Sequence, residues 1–172
     1  MILIGNEGLN ENQAEAQLGM WSLFPAPLLM SNDLRSIDAK FKRILLNKEV
    51  IAINQDRMGK PGKRVFHNES LDVWVRELSP ELAPKLDNDY DDYKNSYAFG
   101  VLNRRATTGP RSVKLKLSEL GIPEGSYKFR DVLRKEDYAY NQRKHGEYLE
   151  LDVPPTGLRL IKVTPIRFNF AL

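Results

Sequence analysis

The chain of 172 residues contains no cysteine. That excludes disulfides, thiolate nucleophiles and cysteine-based zinc sites together. It does not fix the redox compartment, because a segment of a secreted protein can equally lack cysteine. No run of about 18 apolar residues is present, so the sequence offers no transmembrane helix and no membrane partner is expected. Met1-Ile2-Leu3-Ile4-Gly5-Asn6 has neither a basic leader nor a long apolar core, and is not expected to be a signal peptide. Histidine is confined to His67 and His145, neither with a second ligand at metal spacing. No cofactor or metal site is expected, and neither a nucleophile elbow nor a phosphate loop occurs. One-signed charge is also lacking: 26 Lys+Arg oppose 23 Asp+Glu, interleaved, for a net charge of +3. Nucleic-acid binders concentrate basic charge on one face, so no nucleic-acid partner is expected.

What is present reads as two kinds of pattern. The first part has helix spacing between short apolar runs. Met1–Ile4 looks like a strand end, and Gly5–Asn10 is a loop. Asn10 with Gln13 makes a partial capping box for a helix over about 11–23, with Ala14, Leu18 and Trp21 on one face. Pro25 and Pro27 end it. The run Ala26-Pro27-Leu28-Leu29-Met30 then reads as a short buried strand closed by Ser31-Asn32-Asp33. Asp38 is the N-cap of a second helix through Ala39–Leu45, and Asn47 suits its end. Val50–Asp56 is ambiguous, since its β-branched residues favour a strand and its position a short helix.

At Gly59-Lys60-Pro61-Gly62 the character changes. Beyond it, residues alternate with period two at 71–76, 113–117 and 149–153, separated by Gly/Pro turns. Further strands are expected at 63–67, 97–103, 126–133 and 158–164. Seven or eight such strands suit an antiparallel sandwich. Pro80–Asn95 lacks the pattern and reads as an exposed loop.

Each chemical candidate has a plainer reading. Asp87, Asp89 and Asp91 have calcium-loop spacing, but Asp92 and Ala98 stand where glycine and glutamate are required, so a solvated loop is expected. Trp74 could stack on a sugar, but an aromatic in an alternating strand usually packs against its neighbours. Asp33 and Asp56 read as helix-start and turn groups rather than catalysts. Asn68-Glu69-Ser70 is an N-glycosylation sequon, with Asn68 the acceptor if the protein is secreted.

A longer pattern runs through these segments. It comprises Met1–Asn6, Gly8-Leu9, Trp21, Ala26–Arg35 and Asn47–Asp56 followed by Gly59, and continues more loosely through Leu71–Leu78 and Asn103-Arg104 to Gly109–Ser112. It resembles the melibiase-type glycoside hydrolases, the eukaryotic α-galactosidases and α-N-acetylgalactosaminidases. The resemblance implies an α/β remnant of a (β/α)8 barrel in residues 1–58, holding its last one to two β/α units. An all-β antiparallel sandwich follows in residues 62–166, with 80–95 an insertion. Residues 1–4 would end the seventh barrel strand and 27–31 would be the eighth. A barrel needs eight strands and about 200 residues or more, so the helical part is expected to leave its apolar faces open.

Family members cleave terminal α-linked galactose or N-acetylgalactosamine with retention, which needs two carboxyls about 5–5.5 Å apart. Both family aspartates lie upstream of the segment matching Met1, so no catalytic residue is assigned here. The chain alone is expected to be inactive. Met1 matches a position lining the sugar pocket and is the one substrate-binding candidate. The resemblance also implies a lysosomal or extracellular setting and allows a homodimer. The alternative is a stand-alone sandwich acting as a carbohydrate-binding or protein-interaction module.

Overall fold

A computed structural model describes residues 1–80, 95–106, 109–138 and 148–166. The Asn10 carboxamide accepts the Gln13 N–H at 2.9 Å while Gln13 reaches back to the Asn10 N–H at 3.0 Å, so the capping box is complete. It opens α1 (Glu11–Leu23), whose Ala14, Leu18 and Leu23 are buried. Asp38 caps α2 (Ala39–Leu45). Asn47 does not end that helix. Its side chain accepts the N–H groups of Glu49 and Val50 and starts α3 (Lys48–Asn54), which resolves the ambiguous Val50–Asp56 stretch as helix. A good cap offsets the weak helix propensity of two β-branched isoleucines and a valine.

Eight strands follow: β1 (Lys63–His67), β2 (Leu71–Leu78), β3 (Ser96–Asn103), β4 (Arg111–Lys116), β5 (Tyr127–Asp131), β6 (Glu136–Tyr138), β7 (Tyr148–Val153) and β8 (Leu158–Pro165). They form a six-stranded sheet of order β1-β2-β3-β8-β5-β6 and a two-stranded sheet of β4 and β7, all pairs antiparallel. Leu117, expected to extend β4, instead begins a 3-10 turn over Leu117–Leu120. The short β6 had no expectation behind it. The calcium-spaced aspartates, His145 and most of the proposed insertion lie outside the described residues.

The central strands of the larger sheet are buried on both faces, while the edge strands β1 and β6 are exposed. One face meets β4 and β7 in a core that includes Val73, Phe99, Val101, Leu151 and Ile161. The other carries Leu78, Ala98, Leu158 and Leu160 and packs with Ile2, Leu18, Leu23, Val50 and Ile53 of the helical part. Helix α1 crosses this face so closely that a Cβ on Gly19 would lie 2.3 Å from Leu158 Cδ2. The expectation of open apolar faces is therefore corrected for the helices, which the sheet covers. Burying that much apolar surface against a second layer is what keeps the helices folded here.

Candidate functional site

Two extended segments meet beside α1. The Ile2 N–H donates to the Leu29 carbonyl at 2.8 Å and the Ser31 N–H donates to the Ile2 carbonyl at 2.9 Å. The result is a single parallel bridge, Ile2 to Met30. Both segments were expected to be strands, and one bridge is what they make. Ile2 and Ile4 point inward and are fully buried, whereas Met1 is 65% exposed and Leu3 43%. Leu29 (62%), Met30 (41%) and Leu34 (56%) are exposed from the second segment and its turn. Gln17 of α1 fixes the first segment: its Oε1 accepts the Leu3 N–H at 2.8 Å and its Nε2 donates to the Met1 carbonyl at 3.4 Å. Met1, the substrate-binding candidate, is thus an exposed end of this edge.

A separate cavity of about 330 Å³ opens between α1, α2 and the β5–β6 hairpin, lined by Glu15, Arg43, Ile44, Asn47, Leu133, Arg134, Lys135 and Glu136. Burial pushes the Glu15 carboxyl above its ordinary range, and the charge of Asp131 adds to this. Burial also raises Asp131, against the pull of the Arg134 and Leu133 amides and of Arg159. Two raised carboxyls near a cavity are the pattern of an acid/base site. Here the pattern is structural. Asp131 has no solvent exposure. Its Oδ1 accepts the N–H groups of Leu133 at 3.0 Å and Arg134 at 2.9 Å, and its Oδ2 lies 2.7 Å from Arg159 Nη1. Asp131 is spent on these contacts and reaches no substrate, so the raised Glu15 carboxyl lines the cavity without Asp131 as a partner.

The other candidates are dispersed. Asp33 is a surface group joined to Arg35 at 2.7 Å, a bond that lowers its carboxyl. Asp56 accepts from Met58 N and from both N–H and O–H of Ser79, tying the end of the helical part to the end of β2. Asn68 closes a turn: its Oδ1 accepts the Ser70 N–H at 2.9 Å and the Leu71 N–H at 2.8 Å. His67 ends β1, 2.5 Å from Asp72, which also meets Arg104 at 3.0 Å. Trp74 has the Phe24 ring edge-on at 4.8 Å and the Arg64 guanidinium 5.7 Å from its centroid. Among the described residues no three His, Asp or Glu side chains cluster as a metal site.

Sequence reasoning missed the cavity. Its two sides come from α1–α2 and from a hairpin about 90 residues on, and only the unforeseen β6 creates that hairpin. It missed Arg76 as well, a fully buried cation in an alternating strand.

Residues 1–56 match the family described as alpha galactosidase A, and residues 68–163 match the alpha galactosidase C-terminal beta sandwich domain. The chain belongs to the α-galactosidase (melibiase) family. Human alpha-galactosidase A is 40% identical over 121 residues, which are 70% of this chain and 25% of that protein. Alpha-N-acetylgalactosaminidase of Gallus gallus is 33% identical over 167 residues, 96% of this chain and 37% of that protein. In fold, alpha-galactosidase I from Mortierella vinacea matches with a TM-score of 0.77 at 23% identity, over 96% of this chain and 38% of that one. The chain therefore spans about a quarter to two fifths of the length of these melibiase relatives.

Proposed function

We propose that this chain is the C-terminal part of an α-galactosidase-like retaining glycoside hydrolase acting on terminal α-linked galactose or N-acetylgalactosamine. In this reading residues 1–58 are the closing part of a (β/α)8 barrel and residues 62–166 its sandwich. The observation that carries the reading is the parallel Ile2–Met30 bridge. Parallel strands occur almost only in sheets covered on both faces, yet around this bridge Met1, Leu3, Leu29 and Met30 are exposed. Further parallel strands would cover these side chains in a whole enzyme. Met1 would then line the sugar pocket, and the two reacting carboxylates would come from outside this chain. Asn68 would be the glycan acceptor in the lysosomal or extracellular setting that goes with such an enzyme.

The test is direct. The purified chain is incubated with nitrophenyl α-galactoside and nitrophenyl α-N-acetylgalactosaminide. No release of nitrophenol above the blank is expected, and turnover by the pure chain would refute the reading. A stand-alone carbohydrate-binding sandwich is less well supported, because Phe24 and Arg64 already occupy the surroundings of the Trp74 ring.

A further inference from the structure

The cavity between α1, α2 and the β5–β6 hairpin plays no part in the hydrolase reading. We propose that it binds a small molecule bearing an oxyanion, carboxylate or phosphate, gripped by Arg134 and Lys135 over an apolar floor of Ile44 and Leu133.

The size sets the class. At about 330 Å³ the space lies at the small end of ligand pockets and suits a molecule no larger than a sugar acid or sugar phosphate. The charge sets the sign. Arg43, Arg134 and Lys135 face Glu15 and Glu136. Arg43 is engaged by Glu11 at 3.3 Å. Arg134 and Lys135 are exposed; the charge of Arg134 acts on Glu15 and Asp131 and that of Lys135 on Glu49, with no direct side-chain hydrogen bond or ion pair to either cation among the described residues. Burial raises the Glu15 carboxyl above its ordinary range. Asn47 spends its Nδ2 on the Val132 carbonyl at 2.9 Å and its Oδ1 on the start of α3, so the polar contacts to a ligand fall to the charged side chains of the rim.

The backbone agrees. Lys135 sits at φ +61°, a left-handed position in the β5–β6 turn where glycine or asparagine is the comfortable residue. A lysine there costs stability. Strain kept at a cavity rim is the kind of local departure that points to a ligand. The turn is also pinned. Asp131, itself held by Arg159, accepts the Leu133 and Arg134 amides, so the backbone that carries Arg134 is fixed.

The experiment uses the full chain. Inorganic phosphate and glucuronate are titrated separately, followed by calorimetry and thermal melting, with galactose as the neutral sugar and sodium chloride at matched ionic strength. Saturable binding of either anion, absent with galactose and chloride, is expected, and which anion binds identifies the source of the oxyanion. Arg134→Gln and Lys135→Gly should each weaken it by about tenfold or more, as loss of a charge-assisted bond does. Lys135→Gly should meanwhile melt no lower than the parent, because glycine relieves the turn. No binding beyond the chloride control, or equal binding by both variants and the parent, overturns the proposal. So does equal binding of galactose. None of these failures bears on the hydrolase reading, which needs no ligand at this rim.

Discussion

Arg76 Nη1 donates to the Ile53 carbonyl at 2.7 Å, from a residue with no solvent exposure. The same guanidinium donates from Nη1 to Ser22 O near the end of α1 and from Nε to Lys60 O at 2.7 Å in the linker. No carboxylate lies within ion-pair distance among the described residues, and burial pulls the Arg76 pKa below its ordinary value. The partial negative charge of two helix ends meets the guanidinium, and the Asp56 carboxylate, beyond ion-pair distance, also favours its charged form. One side chain of β2 thus clamps α1, α3 and the linker onto the sheet. Arg76→Met should destabilise by about 1–3 kcal/mol for each of the two buried carbonyls, Ser22 and Ile53, that lose their donor, with the part-buried Lys60 carbonyl adding less. Arg76→Lys should recover little, since one ammonium lacks the fork that reaches all three. Urea unfolding of both variants checks this.

Gly19→Ala sets two effects of opposite sign against each other. In a helix interior alanine gains about 1 kcal/mol over glycine. The new methyl would stand 2.3 Å from Leu158 Cδ2, and Leu158 is 1% exposed with nowhere to move. Overpacking of this kind costs about 1–3 kcal/mol. The variant should therefore melt below the parent, and Gly19→Val further below. A higher melting temperature for Gly19→Ala would mean that α1 does not sit this close to the sheet.

Local rules carried the sequence reading wherever a local rule decides. Asn10 with Gln13 and Asp38 mark helix starts because a side-chain oxygen beside a free amide acts over three residues. The alternation at 71–76 marks a strand for the same reason. Asn47 misled because one asparagine can end a helix or begin the next, and only the amides it meets decide. Arg76 misled in a different way. In a two-layer sandwich an arginine between Val75 and Glu77 points to water. Here the helices cover that face, and the clue was that its same-face neighbours Trp74 and Leu78 are apolar. The cavity was illegible because it depends on a three-residue strand, too short for any periodicity.

Stability should respond to pH in two opposed ways. Glu49 of α3 and Arg130 of β5 form a two-pronged pair, at 2.5 and 2.9 Å, that lowers the Glu49 carboxyl. A depressed carboxylate contributes above its unfolded pKa and loses that contribution as pH falls through the folded value. Glu15 is raised by burial. Its sign is reversed: the folded state holds the proton more tightly, so Glu15 penalises folding as pH rises through its folded value. Glu49→Gln should therefore lower stability at pH 7, by about 0.5–1 kcal/mol for a pair this accessible, and flatten the acid loss. Glu15→Gln should raise stability at pH 7, with the gain vanishing below the carboxylate range. Melting curves from pH 3 to pH 8 distinguish the two.

The open edge should make the isolated chain sticky. Met1, Leu3, Leu29, Met30 and Leu34 are exposed around the single Ile2–Met30 bridge, and uncovered apolar side chains clustered in this way invite association. Light scattering should show self-association that grows with protein concentration, and a dye that reports apolar surface should bind. Leu29→Ser with Leu34→Ser should reduce both while changing stability by no more than about 0.5 kcal/mol, the range of exposed substitutions. Val50→Ser is the contrast: at 0% exposure it should destabilise without curing the association. If the serine pair left scattering unchanged, the sticky surface would lie elsewhere, and the free edge strand β1, with Val65 and Phe66 exposed, would be the next place to substitute.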